Sequence, residues 1–403
     1  MQQEKTIIGF DAKRIVRNGT GLGSYGRTLV NDLQRDNDGR FSFRLYAPDK
    51  GRDDLRSQIA DNPDIQFVYP EGLKFRFQKD LWRTKGIMKD LQCDGVRIFH
   101  GLSGELPRGL QRAGIKSVVT IHDLIFMRHP EYYNWIDTKI YTYKFRQACR
   151  EADRIIAISE RTRRDIIELG NVNPDKIDLI YQSFSPRFNI ECDGQQLQQV
   201  RNKYALPQRY LLSVGSIEER KNVMLAVKAL VGLPQDISLV IVGRHTPYTD
   251  KVIRLARDNK LTDRITILHG VPDADLPAIY RMAEVFVYPS RYEGFGIPII
   301  EAVSCGLPVV ACTGSCLEEA GGPDCLYVDP MDVVGMAAAI KRVLIGAKER
   351  ERRISLSREY IRRFEGTDVA EQVINIYDKL IGRDAINDKS ISRDATCHVS
   401  SSK

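Results

Sequence analysis

The stretch Pro289-Ser-Arg-Tyr-Glu-Gly-Phe-Gly-Ile-Pro-Ile-Ile-Glu-Ala-Val-Ser-Cys-Gly-Leu-Pro-Val-Val-Ala311 decides how this 403-residue chain is read. The apolar run Glu284-Val-Phe-Val-Tyr288 before it reads as a buried strand, and Gly294 and Gly296 lead into an apolar-faced helix beginning near Pro298. Proline suits a first helical position, where its missing N–H costs nothing. A helix start exposes unpaired N–H groups and the positive end of the dipole, so a glycine loop that admits a ligand to the backbone is a seat for phosphate. Glu293 precedes the glycines and Glu301 is expected in the first helical turn, so two carboxylates bracket the loop. A ligand with hydroxyls at both ends and phosphate between them, such as a nucleotide-sugar, matches that arrangement.

Short glycine motifs recur in unrelated proteins, and the bland alternative here is a capping acid, a surface glutamate and two packing glycines. The length of the segment weighs against it. Glu293-Gly-Phe-Gly-Ile-Pro-Ile-Ile-Glu301, continuing through Ala302, Gly306, Pro308 and Val309, closely resembles the Glu-x7-Glu signature of the retaining glycosyltransferases of the GT-B class, sequence family 4. The resemblance covers about residues 6–381 and implies an α/β fold of two Rossmann-like domains facing each other across a cleft. An acceptor-side domain is expected over 1–185, a nucleotide-sugar-binding domain over 186–365, and a crossover helix over 366–381 that returns to brace the first domain. The polar, Ser-rich residues 382–403 read as a loose tail.

The chemistry that the resemblance implies is transfer of a hexose, with retention, from a nucleotide-diphosphate sugar to a saccharide or lipid-linked acceptor in cell-surface polysaccharide or glycoconjugate synthesis. Neither metal nor cofactor is implied. Mannose from GDP-mannose is the nearest-looking donor, with UDP and ADP donors left open.

Composition agrees with a globular enzyme of that size. With 42% hydrophobic and 28% charged residues the chain is neither disordered nor fibrous, and its length suits two domains. No apolar run approaches the ~20 residues of a membrane span, and residues 1–5 lack a signal-peptide core, which places the chain in the cytoplasm. Eight scattered cysteines read as reduced, buried residues. Cys312 and Cys316 find no partner pair to complete a zinc site. The net charge of +7 attracts anions without choosing among nucleotides, anionic lipid and nucleic acid.

Along the chain, strand-like runs at 6–11, 41–46, 65–69, 97–100, 117–122, 154–158 and 176–181 alternate with helical segments, the pattern of a parallel sheet covered on both faces. Gly21, Gly23 and Gly26 match a dinucleotide-binding pattern literally, but residues 12–18 separate them from the strand, and a wider glycine loop fits better. In the resembled family the backbone of such a loop, here at Gly21 and Gly23, approaches donor phosphate or acceptor. His100 and His122 close strands where ligands of parallel sheets bind. His122-Asp123 matches a family position on the transferring sugar, while His100 and Glu105 are placed on the acceptor side. Lys74 to Lys89 is basic and aromatic, suited either to an anionic membrane surface or to a solvated helix with Phe and Trp turned inward. Ser159 is a plausible cap for another helix start near the cleft.

In the second half, Gly215 to Asn222 follows a strand, and Arg220 and Lys221 stand where cations can neutralise a leaving diphosphate. The resembled family spaces its phosphate-binding Arg and Lys more widely, so the adjacency leaves open which one bears on phosphate. By the same resemblance Gly270 and Val271 lie beside the nucleobase. Glu293 with the backbone of Gly294, Phe295, Gly296 and Ile297 positions the sugar diphosphate, and Glu301 holds the ribose. Asp273 and Asp275 imitate a metal-binding Asp-x-Asp, but helix capping accounts for them. Rival readings are a sugar phosphorylase or nucleotide-sugar epimerase of the same class, an NAD-dependent oxidoreductase, and a basic nucleic-acid-binding protein. The last needs a basic stripe, whereas these charges are dispersed.

Overall fold

The computed structural model describes residues 5–72, 75–364 and 369–387. Seven strands, β1 (Thr6–Asp11), β2 (Phe41–Tyr46), β3 (Ile65–Val68), β4 (Val96–Gly101), β5 (Lys116–Ile121), β6 (Arg154–Ala157) and β7 (Ile177–Leu179), form one sheet in the order β3-β2-β1-β4-β5-β6-β7. Six more, β8 (Tyr210–Val214), β9 (Ser238–Val242), β10 (Ile265–Leu268), β11 (Val285–Tyr288), β12 (Val309–Cys312) and β13 (Leu326–Val328), form a second in the order β10-β9-β8-β11-β12-β13. The helices that matter below are α1 (Gly21–Asp36), α2 (Trp135–Glu151), α3 (Glu160–Gly170), α4 (Val223–Leu230), α5 (Leu276–Arg281), α6 (Ile297–Ser304) and α7 (Val369–Asn387). The described chain divides into two compact units. One holds residues up to 119, 150–154 and α7, and the other holds 120–149 and 155–364.

Strands buried on both faces need continuous apolar runs rather than alternation. Val285, Phe286, Val287 and Tyr288 of β11 are all buried, as are Tyr210, Leu211 and Leu212 of β8, and the strands pair in parallel. Both sheets follow the doubly wound order, in which successive strands build outward and then restart on the other side of the first strand. Ligands of such sheets bind beyond the carboxyl ends at that reversal. In the second sheet the reversal lies between β8 and β11, where Leu211 pairs with Val285 and Leu212 with Phe286.

α7 returns to the first unit. Val373, Ile374, Tyr377 and Leu380 are buried along one stripe, and Tyr377 stands edge-on to Phe41 of β2 at 5.9 Å. The helix continues to Asn387, past the expected end at 381, and residues 388–403 of the expected tail lie outside the described residues. A short helix, Lys13–Arg17, occupies what reads in the sequence as a loop between β1 and the glycines.

The basic and aromatic stretch divides in two. Lys74 lies outside the described residues, Phe75 and Phe77 stack on each other at 6.0 Å while exposed, and Trp82 is buried with its indole N–H donating to Asp90 at 2.6 Å. Only the tryptophan therefore faces inward. Among the described residues no helix is long and apolar enough to cross a membrane.

Candidate functional site

At the carboxyl end of β11 the chain runs through Pro289–Gly296 into α6. Gly296 adopts φ 119°, a left-handed backbone that glycine takes without strain. Gly294 passes so close to the His122 carbonyl that a Cβ there would approach it to 2.3 Å. The loop carbonyls are held by the protein beneath: Ser159 Oγ donates to Gly294 O at 2.7 Å, and Cys316 Sγ donates to the Phe295 and Glu293 oxygens at 2.8 and 3.1 Å. Phe295 is buried and stacks on Tyr181 at 5.6 Å, which pins the loop from one side. Among the described residues the backbone N–H groups of Gly294, Phe295, Gly296 and Ile297 make no hydrogen bond. A run of unfilled donors at a helix start favours an anion.

Cations converge on the same loop. The segment after β8 turns through Glu219–Lys221, and Asn222, in the left-handed region at φ 53°, starts α4. Arg220 reaches the Glu293 carboxylate at 2.9 Å and Lys221 reaches its other oxygen at 2.6 Å. Arg220 also donates to Tyr292 O at 2.6 Å and to Glu218 at 2.8 Å, and Lys221 donates to the Tyr288 hydroxyl at 2.8 Å. Ser290 adds a short hydrogen bond to Glu293. Burial by itself would raise the Glu293 pKa, but Lys221 and Arg220 outweigh it and hold the carboxyl at about 2. Both cations are held protonated against desolvation by the same partner. Both side chains of the adjacent Arg220 and Lys221 thus meet one carboxylate.

His122 follows β5, with its carbonyl accepting from Thr162 Oγ1 at 3.1 Å. Its Nδ1 lies 2.9 Å from Gln182 Nε2. With the amide donating, the ring proton sits on Nε2. Asp123 is half-buried beside the cation pair; desolvation pushes its carboxyl upward, and Arg220 and Lys221 counter it only in part.

Glu301 is the fifth residue of α6, just past the first turn in which the sequence places it. It accepts from the Tyr280 hydroxyl at 3.1 Å, and burial pushes its carboxyl up to about 7 despite that bond. Gly215 follows β8, and Gly270 follows β10 with φ 65° and open space where a Cβ would stand, while Val271 packs partly on the core. All of these residues lie in the second unit.

Ser159 caps α3 as expected, accepting the Thr162 N–H, and Glu319 accepts that of Glu160 at 2.7 Å. Two readings meet a different structure. His100 is fully buried and its Nδ1 is 2.7 Å from the Tyr377 hydroxyl, so α7 covers the histidine expected on the acceptor side. Asp275 does not cap α5; its carboxylate takes Lys203 at 2.7 Å and the Tyr204 hydroxyl at 2.6 Å, while Asp273 pairs with Arg187.

In the first unit, Gly21 opens α1 with nothing within 4 Å of a Cβ position, whereas Gly23 must be glycine because a Cβ would lie 1.8 Å from Asn18 O. No strand-turn-helix dinucleotide fingerprint forms, because the Lys13–Arg17 helix intervenes. Glu105 meets Arg83 at 3.1 Å, and the same guanidinium pairs with Asp11 at the end of β1. Sequence reasoning missed Tyr288, Ser290 and Gln182. Tyr288 closes the apolar run before the quoted stretch and Ser290 lies within it, but nothing local marks Gln182.

The chain matches the family described as glycosyl transferases group 1 over residues 196–360 and that described as glycosyltransferase family 4 over residues 20–186. It is 34% identical over 289 residues to the O-antigen chain mannosyltransferase B of Escherichia coli, covering 70% of this chain and 74% of that protein. It is 30% identical over 238 residues to the serotype-specific mannosyltransferase WbdA of E. coli, covering 57% of this chain and 29% of that much longer protein. Among solved structures, a sucrose-phosphate synthase from Thermosynechococcus elongatus superposes with a TM-score of 0.77 at 20% identity, over 94% of this chain and all of that one. Two doubly wound sheets, the returning helix and these matches establish that the chain belongs to the group 1 glycosyl transferases, as a glycosyltransferase of the GT-B fold.

Proposed function

We propose that this enzyme is a retaining mannosyltransferase that moves mannose from GDP-mannose to a saccharide or lipid-linked acceptor during assembly of a cell-surface polysaccharide. The sugar is supported by the O-antigen chain mannosyltransferase to which the chain is 34% identical. One observation carries the chemistry: two partly buried cations and four unbonded backbone N–H groups meet at one loop beside the reversal of the second sheet.

The hard step is departure of the diphosphate from an oxocarbenium-like carbon, and preorganised positive groups act most strongly where charge develops. Arg220 and Lys221 take the phosphate oxygens from one side while the N–H groups of residues 294–297 take them from the other. Glu301 holds the ribose hydroxyls, Gly270 and Val271 flank the base, and Gly215 lets the phosphate approach the backbone. His122 donates from Nε2 to a hydroxyl of the transferring sugar, and Glu293 accepts from the same sugar. A retaining hydrolase uses a nucleophilic carboxylate. Here Glu293 is clamped by two cations, so attack by the acceptor on the face the diphosphate leaves, assisted by phosphate, is the preferred route. Neither metal nor cofactor takes part. The enzyme works in the cytoplasm, at the membrane face where lipid-linked acceptors are presented.

A thermal-shift screen with GDP, UDP, ADP and their sugars tests the reading, because a ligand that binds only the folded state raises its melting point. GDP and GDP-mannose are expected to stabilise most, and the product is expected to be α-configured by NMR. If no nucleoside diphosphate moves the transition, the site assignment fails.

A further inference from the structure

The helix Arg350–Ile361 runs into the turn Arg362–Phe364 and sets Arg358 and Arg362 about one turn apart. Both are exposed, and two cations at that spacing repel each other. A third, Arg281, ends α5 and lines the same cavity as both. The cavity measures about 240 Å³, and Asn189, Glu191 and the buried Ser304 at the end of α6 line it as well.

Backbone carbonyls account for part of this charge. Arg281 Nη2 donates to the Phe188 and Ile190 carbonyls at 2.9 and 2.8 Å, and Arg358 Nη2 reaches the Ser304 carbonyl at 3.4 Å. Those bonds leave most of each guanidinium unused. Among the described residues Arg281 Nε is buried without a partner, Arg362 makes no side-chain hydrogen bond, and none of the three arginines pairs with a carboxylate. Asn189 Oδ1 accepts from Ser304 Oγ, so the Asn189 amide N–H groups remain to donate. Donors thus gather here from separate segments of one unit, and a single acid, Glu191, lines the cavity with them.

A planar guanidinium grips two oxygens of a phosphate at once, and several together neutralise its double charge. The C-terminal end of the α6 dipole, about half a negative charge, opposes an anion at this place, but three full positive charges outweigh it. The cavity is smaller than the roughly 300 Å³ at which drug-sized pockets begin, so it suits phosphate with at most a small organic group.

We propose that Arg281, Arg358 and Arg362, with Asn189, form a second anion site that takes the phosphate group of a small ligand, either inorganic phosphate or a phosphorylated monosaccharide whose hydroxyls Glu191 accepts. The eight residues of α6 span roughly 12 Å, so this seat and the donor loop stand at opposite ends of one helix. The site stands whichever donor or acceptor the enzyme uses.

Calorimetric titration of the full chain with inorganic phosphate, and separately with mannose 6-phosphate, at fixed ionic strength tests it. Saturable binding is expected. A tighter hold on mannose 6-phosphate assigns the site to a phosphorylated sugar, and an equal or tighter hold on inorganic phosphate assigns it to the free ion. Replacing Arg358 and Arg362 together by Gln should weaken the binding at least about tenfold, the scale of losing charge-assisted hydrogen bonds. Both side chains are exposed, so this variant should keep the circular dichroism of the wild type. Lys221→Ala, which disarms the donor loop, should leave phosphate affinity within about twofold, as for independent distant sites. Glu191→Gln should tighten inorganic phosphate. The proposal is overturned if neither ligand binds the wild type, if the double variant binds as the wild type does, or if Lys221→Ala rather than the double variant abolishes binding. The last outcome would leave the donor site standing, so the two readings fail separately.

Discussion

Replacing Glu301 by Gln should stabilise the free protein while weakening its hold on nucleotide. In the ligand-free enzyme this carboxyl is buried in α6, and burial raises it from the ordinary 4.5 to about 7, with only the Tyr280 hydroxyl pulling the other way. At about 1.4 kcal/mol per pH unit, ionising it in place costs up to about 3 kcal/mol. The folded pKa lies above the unfolded one, so the stabilisation is full below about pH 4.5 and is lost as pH rises through 7. Gln keeps an oxygen for Tyr280 and never ionises. Denaturant melts of both proteins should therefore coincide near pH 4.5 and diverge above it, with the variant ahead by up to about 3 kcal/mol at pH 8. For a unit of this size that is roughly 5–10 °C in Tm. The same variant should lose most of its GDP-induced shift at pH 8, because a ribose diol needs the carboxylate as a double acceptor. A variant less stable than the wild type at pH 8, or an offset that ignores pH, would refute the account of Glu301 as a charge held buried for a ligand.

Other substitutions read different parts of the site and scaffold. Lys221→Ala removes the 2.6 Å contact to Glu293 and should lower turnover at least ~10²-fold in a transfer assay, the scale of losing a transition-state donor. Gly294→Ala drives a methyl group against the His122 carbonyl, 2.3 Å away, so the two loops must part; a drop in kcat exceeding tenfold is expected, with stability down by about 1–3 kcal/mol in a melt. Tyr377→Phe strips a buried partner from His100 and should cost about 1–3 kcal/mol in denaturant without changing GDP affinity measured by calorimetry.

Much of the fold was legible because parallel strands announce themselves. Tyr210–Val214 and Ser238–Val242 follow their apolar runs, since burial on both faces favours continuous apolar residues, whereas the edge strand Ile265–Leu268 is only half-buried and carries Thr266. The central loop was legible for a different reason: Gly294, Gly296 and Pro298 are punctuation whose backbone demands are local. What failed was long-range. His100 obeys the rule that strand ends carry ligands, yet Tyr377, 277 residues later, arrives on α7 and takes its ring nitrogen. Gln182 lies 60 residues from His122, and only the assembled sheet brings them to 2.9 Å. Asp275 looked like a cap because it precedes α5, but Lys203 and Tyr204 hold its carboxylate more strongly than the helix end does.

The arrangement around Glu293 implies an exchange of partners. Two cations side by side in a partly buried site are costly alone, and removing their counter-charge is destabilising. In the free enzyme Glu293 supplies the missing negative charge to Arg220 and Lys221. On the proposed reading, an arriving diphosphate supplies it instead, and the carboxylate is released to accept from sugar hydroxyls. Glu293→Gln separates the two roles. It leaves Lys221 without its paired carboxylate and Arg220 with only Glu218, so the free protein should melt earlier. Bare GDP should then bind more tightly than to the wild type, because the phosphates no longer compete with a carboxylate. Sugar transfer should nevertheless fall, since the neutral amide is the poorer acceptor. Calorimetry with GDP decides between this exchange and a fixed role: unchanged or weaker binding to the variant would mean that Glu293 keeps its cations throughout and that phosphate is held by the backbone of residues 294–297 alone.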